Sequence, residues 1–170
     1  MKVMVLAAGR GERMRPLTDH TPKPLLEVGG KPLIMWMLER LARAGLNDVV
    51  INTAHLREQL HASLGDGAGL GVRINWSDEP AGALETAGGL RKALPLLGPG
   101  PFLAVAADVY CDAPFAELAR VATQLRADAD LAFLWLVPNP AHHVAGDFRL
   151  HGDRVLPAGE GALRRQALPR

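Results

Sequence analysis

The sequence predicts an α/β fold, a mainly parallel sheet with helices on both faces. Three observations lead there. Short continuous apolar runs recur along the chain, segments with apolar residues at helical spacing alternate with them, and glycine or proline marks most of the junctions. Parallel strands are buried on both faces and so read as unbroken apolar runs, whereas a covering helix shows an apolar stripe.

Lys2 to Ala8 is such a run, ending in Gly9. Pro32 is placed to open a helix at its first position, with Ile34, Met37, Leu38 and Leu41 on one face and Gly45 as the stop. Asp48 to Asn52 is a second buried strand. Leu56, Leu60 and Leu64 form the face of another helix, closed by Gly65. Val72 to Trp76 alternates as a strand with Val72, Ile74 and Trp76 on one side, and Thr86 to Leu97 is helical. Phe102 to Ala107 is a fourth strand that runs into Asp108. After Pro114 a helix is expected through Leu125, then the apolar run Leu131 to Val137. A hairpin of Asp147 to Leu150 and Arg154 to Leu156 comes last, turning at HGD. Trp36, Trp76 and Trp135 are expected in the core, and His55, His61, His142 and His143 on the surface.

The 170 residues fit one domain with a sizeable core, and 48% apolar residues with a net charge of +1 argue against disorder and against a dedicated nucleic-acid binder. The single cysteine, Cys111, excludes an intramolecular disulfide framework and a cysteine-rich metal site. The apolar run at the N-terminus is too short for a signal peptide, and no stretch approaches a membrane span. A cytoplasmic protein without nucleic-acid or membrane partners is the expectation; the residues leave its oligomeric state open.

In a parallel sheet, ligands sit outside the carboxyl ends of the strands, and both Gly9 and Asp108 fall at such ends. LAAGRGERM, Leu6 to Met14, places Ala8, Gly9 and Gly11 directly after the first strand, where small residues let backbone N–H groups approach a phosphate chain. Arg10, Arg13 and Arg15 add guanidinium forks suited to phosphate oxygens. The Walker pattern is absent, and a dinucleotide GxGxxG fingerprint is incomplete because Met14 stands at its third glycine. Taken alone, the GxG also fits a plain surface turn with solvated arginines. Lys23, between Pro22 and Pro24, lies on a stiffened segment that can return its ammonium to the glycine loop; an isolated PKP equally fits a solvated lysine.

LAAGRGERMRPLT followed by TPKPLLEVGGKPLI, Leu6 to Ile34 in fixed order, resembles the signature of the sugar-1-phosphate nucleotidyltransferases. GDG at Gly65 to Gly67, LETAGGLRKALPLLG from Leu84 to Gly98 and AGDF from Ala145 to Phe148 make the chain most similar to the bacterial N-acetylmuramate-1-phosphate uridylyltransferases. The resemblance runs from Met1 to about Val155. It implies a Rossmann-like, glycosyltransferase-A-like version of the fold, and transfer of a nucleotidyl group from a nucleoside triphosphate to a sugar-1-phosphate, with UTP and N-acetylmuramate-1-phosphate the expected pair. A single domain over 1–170 would then comprise a nucleotide-binding part, 1–113, and a partial sugar-binding part, 114–170.

Carried over by position, the resemblance assigns Leu6, Ala8, Gly9, Gly11, Arg13, Glu79, Pro80 and Gly88 to the nucleotide. Glu85, Thr86, Gly89, Gly146 and Asp147 fall to the substrate, Arg13 and Lys23 to catalysis, and Asp108 to Mg²⁺. Two departures stand out. Ala107–Asp108 replaces the family's Gly-Asp, and the terminal GEGALRRQALPR does not match the family's later region with its second metal-binding aspartate. The fold is therefore expected to be incomplete at its C-terminus, with weaker metal binding. The alternatives are a module that binds nucleotide or sugar phosphate without catalysis, and a relative acting on glucose- or mannose-1-phosphate. A nicotinamide-dependent oxidoreductase is disfavoured by Met14.

Overall fold

A computed structural model describes residues 1–80, 82–126, 129–144 and 146–157. The terminal GEGALRRQALPR and Ala145 of the AGDF segment lie outside the described residues. The chain divides into two compact units, Met1–Arg120 and Val121–Arg170.

The first unit is built on β1, Lys2–Leu6. Val3 and Val5 face one core and Met4 the other, so the strand is buried on both sides, as its unbroken apolar sequence requires. After three short 3₁₀ turns come β2 (Glu27–Val28) and β3 (Lys31–Pro32), which pair antiparallel around Gly29–Gly30. Helix α1, Leu33–Arg43, begins one residue after Pro32 and buries Ile34, Met37, Leu38 and Leu41. Next come β4 (Asp48–Thr53), α2 (Arg57–Leu64), β5 (Arg73–Asp78), α3 (Glu85–Leu97), β6 (Phe102–Ala106) and α4 (Phe115–Ala122).

The four long strands form one parallel sheet in the order β5-β4-β1-β6. The chain builds outward from β1 to β4 and β5, then returns to place β6 on the other side of β1. Helix α3 covers one face through Ala93 and Leu97, which pack with Met4 and Val50. The other face carries α1, α2 and α4, through Leu38, Leu41, Leu60, Leu64 and Phe115. The expectation of a parallel sheet with helices on both faces is met. Boundaries shift at several elements: β5 runs from Arg73 to Asp78 rather than from Val72 to Trp76, Leu56 precedes α2 rather than joining its face, and α4 stops at Ala122, where the chain turns through a Gln124 N–H to Val121 carbonyl bond.

In the second unit, β7 (Phe148–His151) and β8 (Arg154–Pro157) form the expected antiparallel hairpin. The run 131–137 has no regular structure, and its Leu131 is 86% exposed. Trp135, expected in the core, is 43% exposed. An apolar run becomes a strand only where a neighbouring edge satisfies its backbone, and this run pairs with no described strand. No helix among the described residues is long and apolar enough to cross a membrane.

Candidate active site at the carboxyl ends of the strands

β1, β4, β5 and β6 all end on the same side of the sheet, and a crevice of about 1020 Å³ opens there. Its walls are the exit segments of the strands: the loop Ala7–Arg13 after β1, Ala54–Leu56 after β4, Gly82–Thr86 after β5, and Asp108 after β6. The site is thus a product of the parallel topology, which directs every strand's exit loop to one edge.

The glycine loop is held in shape by its own chain. Gly11 is left-handed at φ 69°, and a Cβ there would lie 3.0 Å from the Thr18 side chain and 3.1 Å from that of Lys23. Glycine therefore serves both conformation and space. Buried Thr18 donates its hydroxyl to the Gly11 carbonyl at 2.9 Å, and the Thr18 carbonyl lies 3.1 Å from His55 Nε2. Asp19 pairs with Arg15 Nε at 2.7 Å and lies 4.0 Å from an Arg10 guanidinium nitrogen. Arg13 is exposed in the crevice wall and forms no ion pair with a described residue.

Lys23 begins a 3₁₀ turn, Lys23–Leu25, closed by the Leu25 N–H to Pro22 carbonyl bond of 2.8 Å; Pro24 beside it is buried. This braced backbone aims the ammonium across the crevice, where it pairs with Asp108 Oδ2. The two side chains are 22% and 29% exposed. Asp108 Oδ1 makes no bond to a described residue. A single carboxylate facing a space large enough for polyphosphate fits Mg²⁺, which takes one or two carboxylates and completes its oxygens from phosphate and water. No cluster of three ligating side chains exists among the described residues, so any ion here depends on such additional oxygens.

Of the residues singled out from sequence, Leu6, Ala8, Gly9, Gly11, Arg13, Lys23, Glu79, Glu85, Thr86 and Asp108 line the crevice together. Pro80 is exposed in a turn whose carbonyl accepts from Ala83 N–H at 3.2 Å, and Gly88 and Gly89 lie within α3. None of these three is a lining residue. Gly146 and Asp147 belong to the second unit. There Gly146 is left-handed at φ 64°, and Asp147 lies 3.2 Å from His143 Nε2.

Two participants were not singled out as functional. Asn52 forms a buried pair with Glu79 at the crevice floor, and His55, expected on the surface, lines the crevice and braces Thr18. Asn52 had a readable signal, a polar residue closing the apolar run DVVIN. His55 had none, since nothing local tells which loop it meets.

A family model described as nucleotidyl transferase matches residues 2–145. The chain belongs to the nucleotidyl transferase family. Among curated members, the N-acetylmuramate alpha-1-phosphate uridylyltransferase of Neisseria meningitidis serogroup B is 58% identical over 90% of this chain and 66% of its own. The protein of the same name from Caulobacter vibrioides is 41% identical over 92% of this chain and 69% of its own. The chain therefore spans about two thirds of the length of these relatives. The crystal structure of HddC from Yersinia pseudotuberculosis complexed with GMP-PN superimposes with a TM-score of 0.74 at 18% identity, covering 98% of this chain and 70% of that one. That likeness shows the shared fold.

Proposed function

We propose that this crevice binds a nucleoside triphosphate and a sugar-1-phosphate and joins them into a nucleotide sugar with release of pyrophosphate. The observation that carries the reading is the convergence, on one crevice, of the small-residue loop Ala8–Arg13, the proline-braced Lys23 and the strand-end carboxylate Asp108. UTP and N-acetylmuramate-1-phosphate are the proposed pair, on the strength of the names carried by the two relatives. With that product class, the role we propose is the recycling of cell-wall sugars, in the cytoplasm.

A phosphate oxygen of the sugar phosphate attacks the α-phosphorus of the triphosphate, forming the new P–O bond. The bond from the α-phosphorus to the bridging oxygen breaks, and pyrophosphate leaves with its electron pair. The sugar phosphate is already anionic at neutral pH, so no strong base is needed. The obstacle is bringing two anions together and holding the charge that builds on the phosphoryl oxygens. Loop backbone that can approach closely orients the phosphate chain, Arg13 faces the leaving pyrophosphate, and Lys23 stabilises the transferring group. Leu6 and Ala8 line the base side, with Glu85 and Thr86 towards the incoming sugar phosphate. Asp108 would hold Mg²⁺, which when bound neutralises phosphate charge.

The test is a panel of triphosphates crossed with sugar-1-phosphates, with pyrophosphate as the readout. Magnesium-dependent release that requires the sugar phosphate and is strongest for the proposed pair supports the reading. Nucleotide binding without release would instead make the chain a binding module.

A further inference from the structure

A buried chain of hydrogen bonds joins two sides of the crevice. Asn52, the residue before Thr53 at the end of β4, is 3% exposed, and Glu79, one residue past β5, is 1% exposed. Asn52 Oδ1 accepts the Ala7 backbone N–H at 2.8 Å, and its Nδ2 donates to Glu79 Oε1 at 2.7 Å. Glu79 Oε2 accepts the Leu84 backbone N–H at 2.7 Å, and Glu79's own N–H donates to the Thr53 carbonyl at 2.7 Å. Ala7 opens the glycine loop; Leu84 stands directly before the crevice residues Glu85 and Thr86. Gly89 of α3 closes over the junction, where a Cβ would lie 2.5 Å from Glu79 Oε1 and 2.7 Å from Asn52 Nδ2.

Glu79 has no ion pair among the described residues, and burying a carboxylate without one is costly unless every oxygen is hydrogen-bonded. The fold accepts this cost where it also carries backbone strain. Ala83 and Glu85, on either side of Leu84, are left-handed at φ 54° and 57°, a conformation that is disfavoured for an L residue. Such a conformation persists only where its surroundings fix it, and the bond from Leu84 to Glu79 is placed to do so.

We infer that Asn52 and Glu79 are positioning residues of the nucleotide site. Together they set the separation between the glycine loop and the Ala83–Thr86 turn, so that both walls meet the nucleotide already spaced. Glu79, buried and bonded to the protein through each oxygen, thus acts through the protein and not as a direct ligand. This inference rests on the proposed nucleotidyl transfer.

The donor pattern supplies its own test. Glu79→Gln leaves one acceptor where two donors point, and Asn52→Asp sets two carboxylates against each other. The double variant N52D/E79Q restores every bond and reverses only the one between the two side chains: Asp accepts from Ala7 N–H and from the Gln amide, whose oxygen accepts from Leu84 N–H. Calorimetry with UTP and steady-state kinetics are measured on each variant, with circular dichroism as the check of folding. Folded Glu79→Gln should raise the UTP Kd and KM about tenfold, as expected for one buried bond lost and one donor left unmade, with kcat changed less. The double variant should recover wild-type affinity. Wild-type affinity in folded Glu79→Gln, or a folded double variant as weak as the single, would overturn the inference. Amide hydrogen exchange on the unmutated protein gives a reading independent of any variant's folding. Slow, matched exchange at Ala7 and Leu84 supports the link, and fast exchange at Leu84 overturns it. Failure of the unmutated protein to bind any triphosphate would instead strike at the functional proposal, leaving the exchange result to judge the link.

Discussion

Lys23 and Asp108 are far apart in the chain, yet their charged groups meet in the crevice. Removing either should affect the reaction more than the fold, because both are partly exposed. Lys23→Ala should lower kcat/KM by about 10²–10³, the usual cost of deleting one preorganised group at developing phosphoryl charge, with the melting temperature nearly unchanged. Asp108→Asn keeps the shape and removes the charge. It should raise the magnesium concentration needed for half-maximal pyrophosphate release, and an unshifted magnesium dependence would remove Asp108 from the metal. Gly11 answers to sterics instead. Gly11→Ala must hold φ 69° and push against Thr18 and Lys23, so it should cost about 1–2 kcal/mol in denaturant unfolding and weaken triphosphate binding. Single positions such as Lys23 and Asp108 were readable because motif and strand end coincide. The bonds that Asn52 makes to Ala7 and Glu79, and His55 to Thr18, span 27 to 45 residues, and no local pattern encodes such a meeting.

Elements were legible wherever burial imposes a period. Helix α1 shows its apolar face at Ile34, Met37, Leu38 and Leu41, and all four are buried. Leu38 is fully enclosed against the sheet, so Leu38→Ala should destabilise by about 2–5 kcal/mol in chemical denaturation, the range for a large-to-small change in a packed core. Legibility failed where the periodic signal outran its partners. Leu56 continues the spacing of Leu60 and Leu64, but it adopts φ 52° and turns the chain into α2, lining the crevice instead of the core. Every non-glycine residue with positive φ among the described residues, Leu56, Ala83 and Glu85, is a crevice residue. Propensity rules fail at these positions because the site, and not the helix or strand, dictates the backbone.

For the molecule as a whole, the order β5-β4-β1-β6 gathers four exit loops at one edge, and the chemistry depends on that gathering. Alternating runs in the sequence were enough to foresee the parallel sheet, since only crossover helices can join such strands. The strand order, and hence which loops face each other, came only with the structure. The most direct measurement is a crystal structure of the protein soaked with magnesium and a non-hydrolysable UTP analogue. The triphosphate should lie along Gly9–Arg13 with Lys23 on its oxygens and Asp108 on the metal. Nucleotide bound elsewhere on the surface, with this crevice empty, would contradict the account.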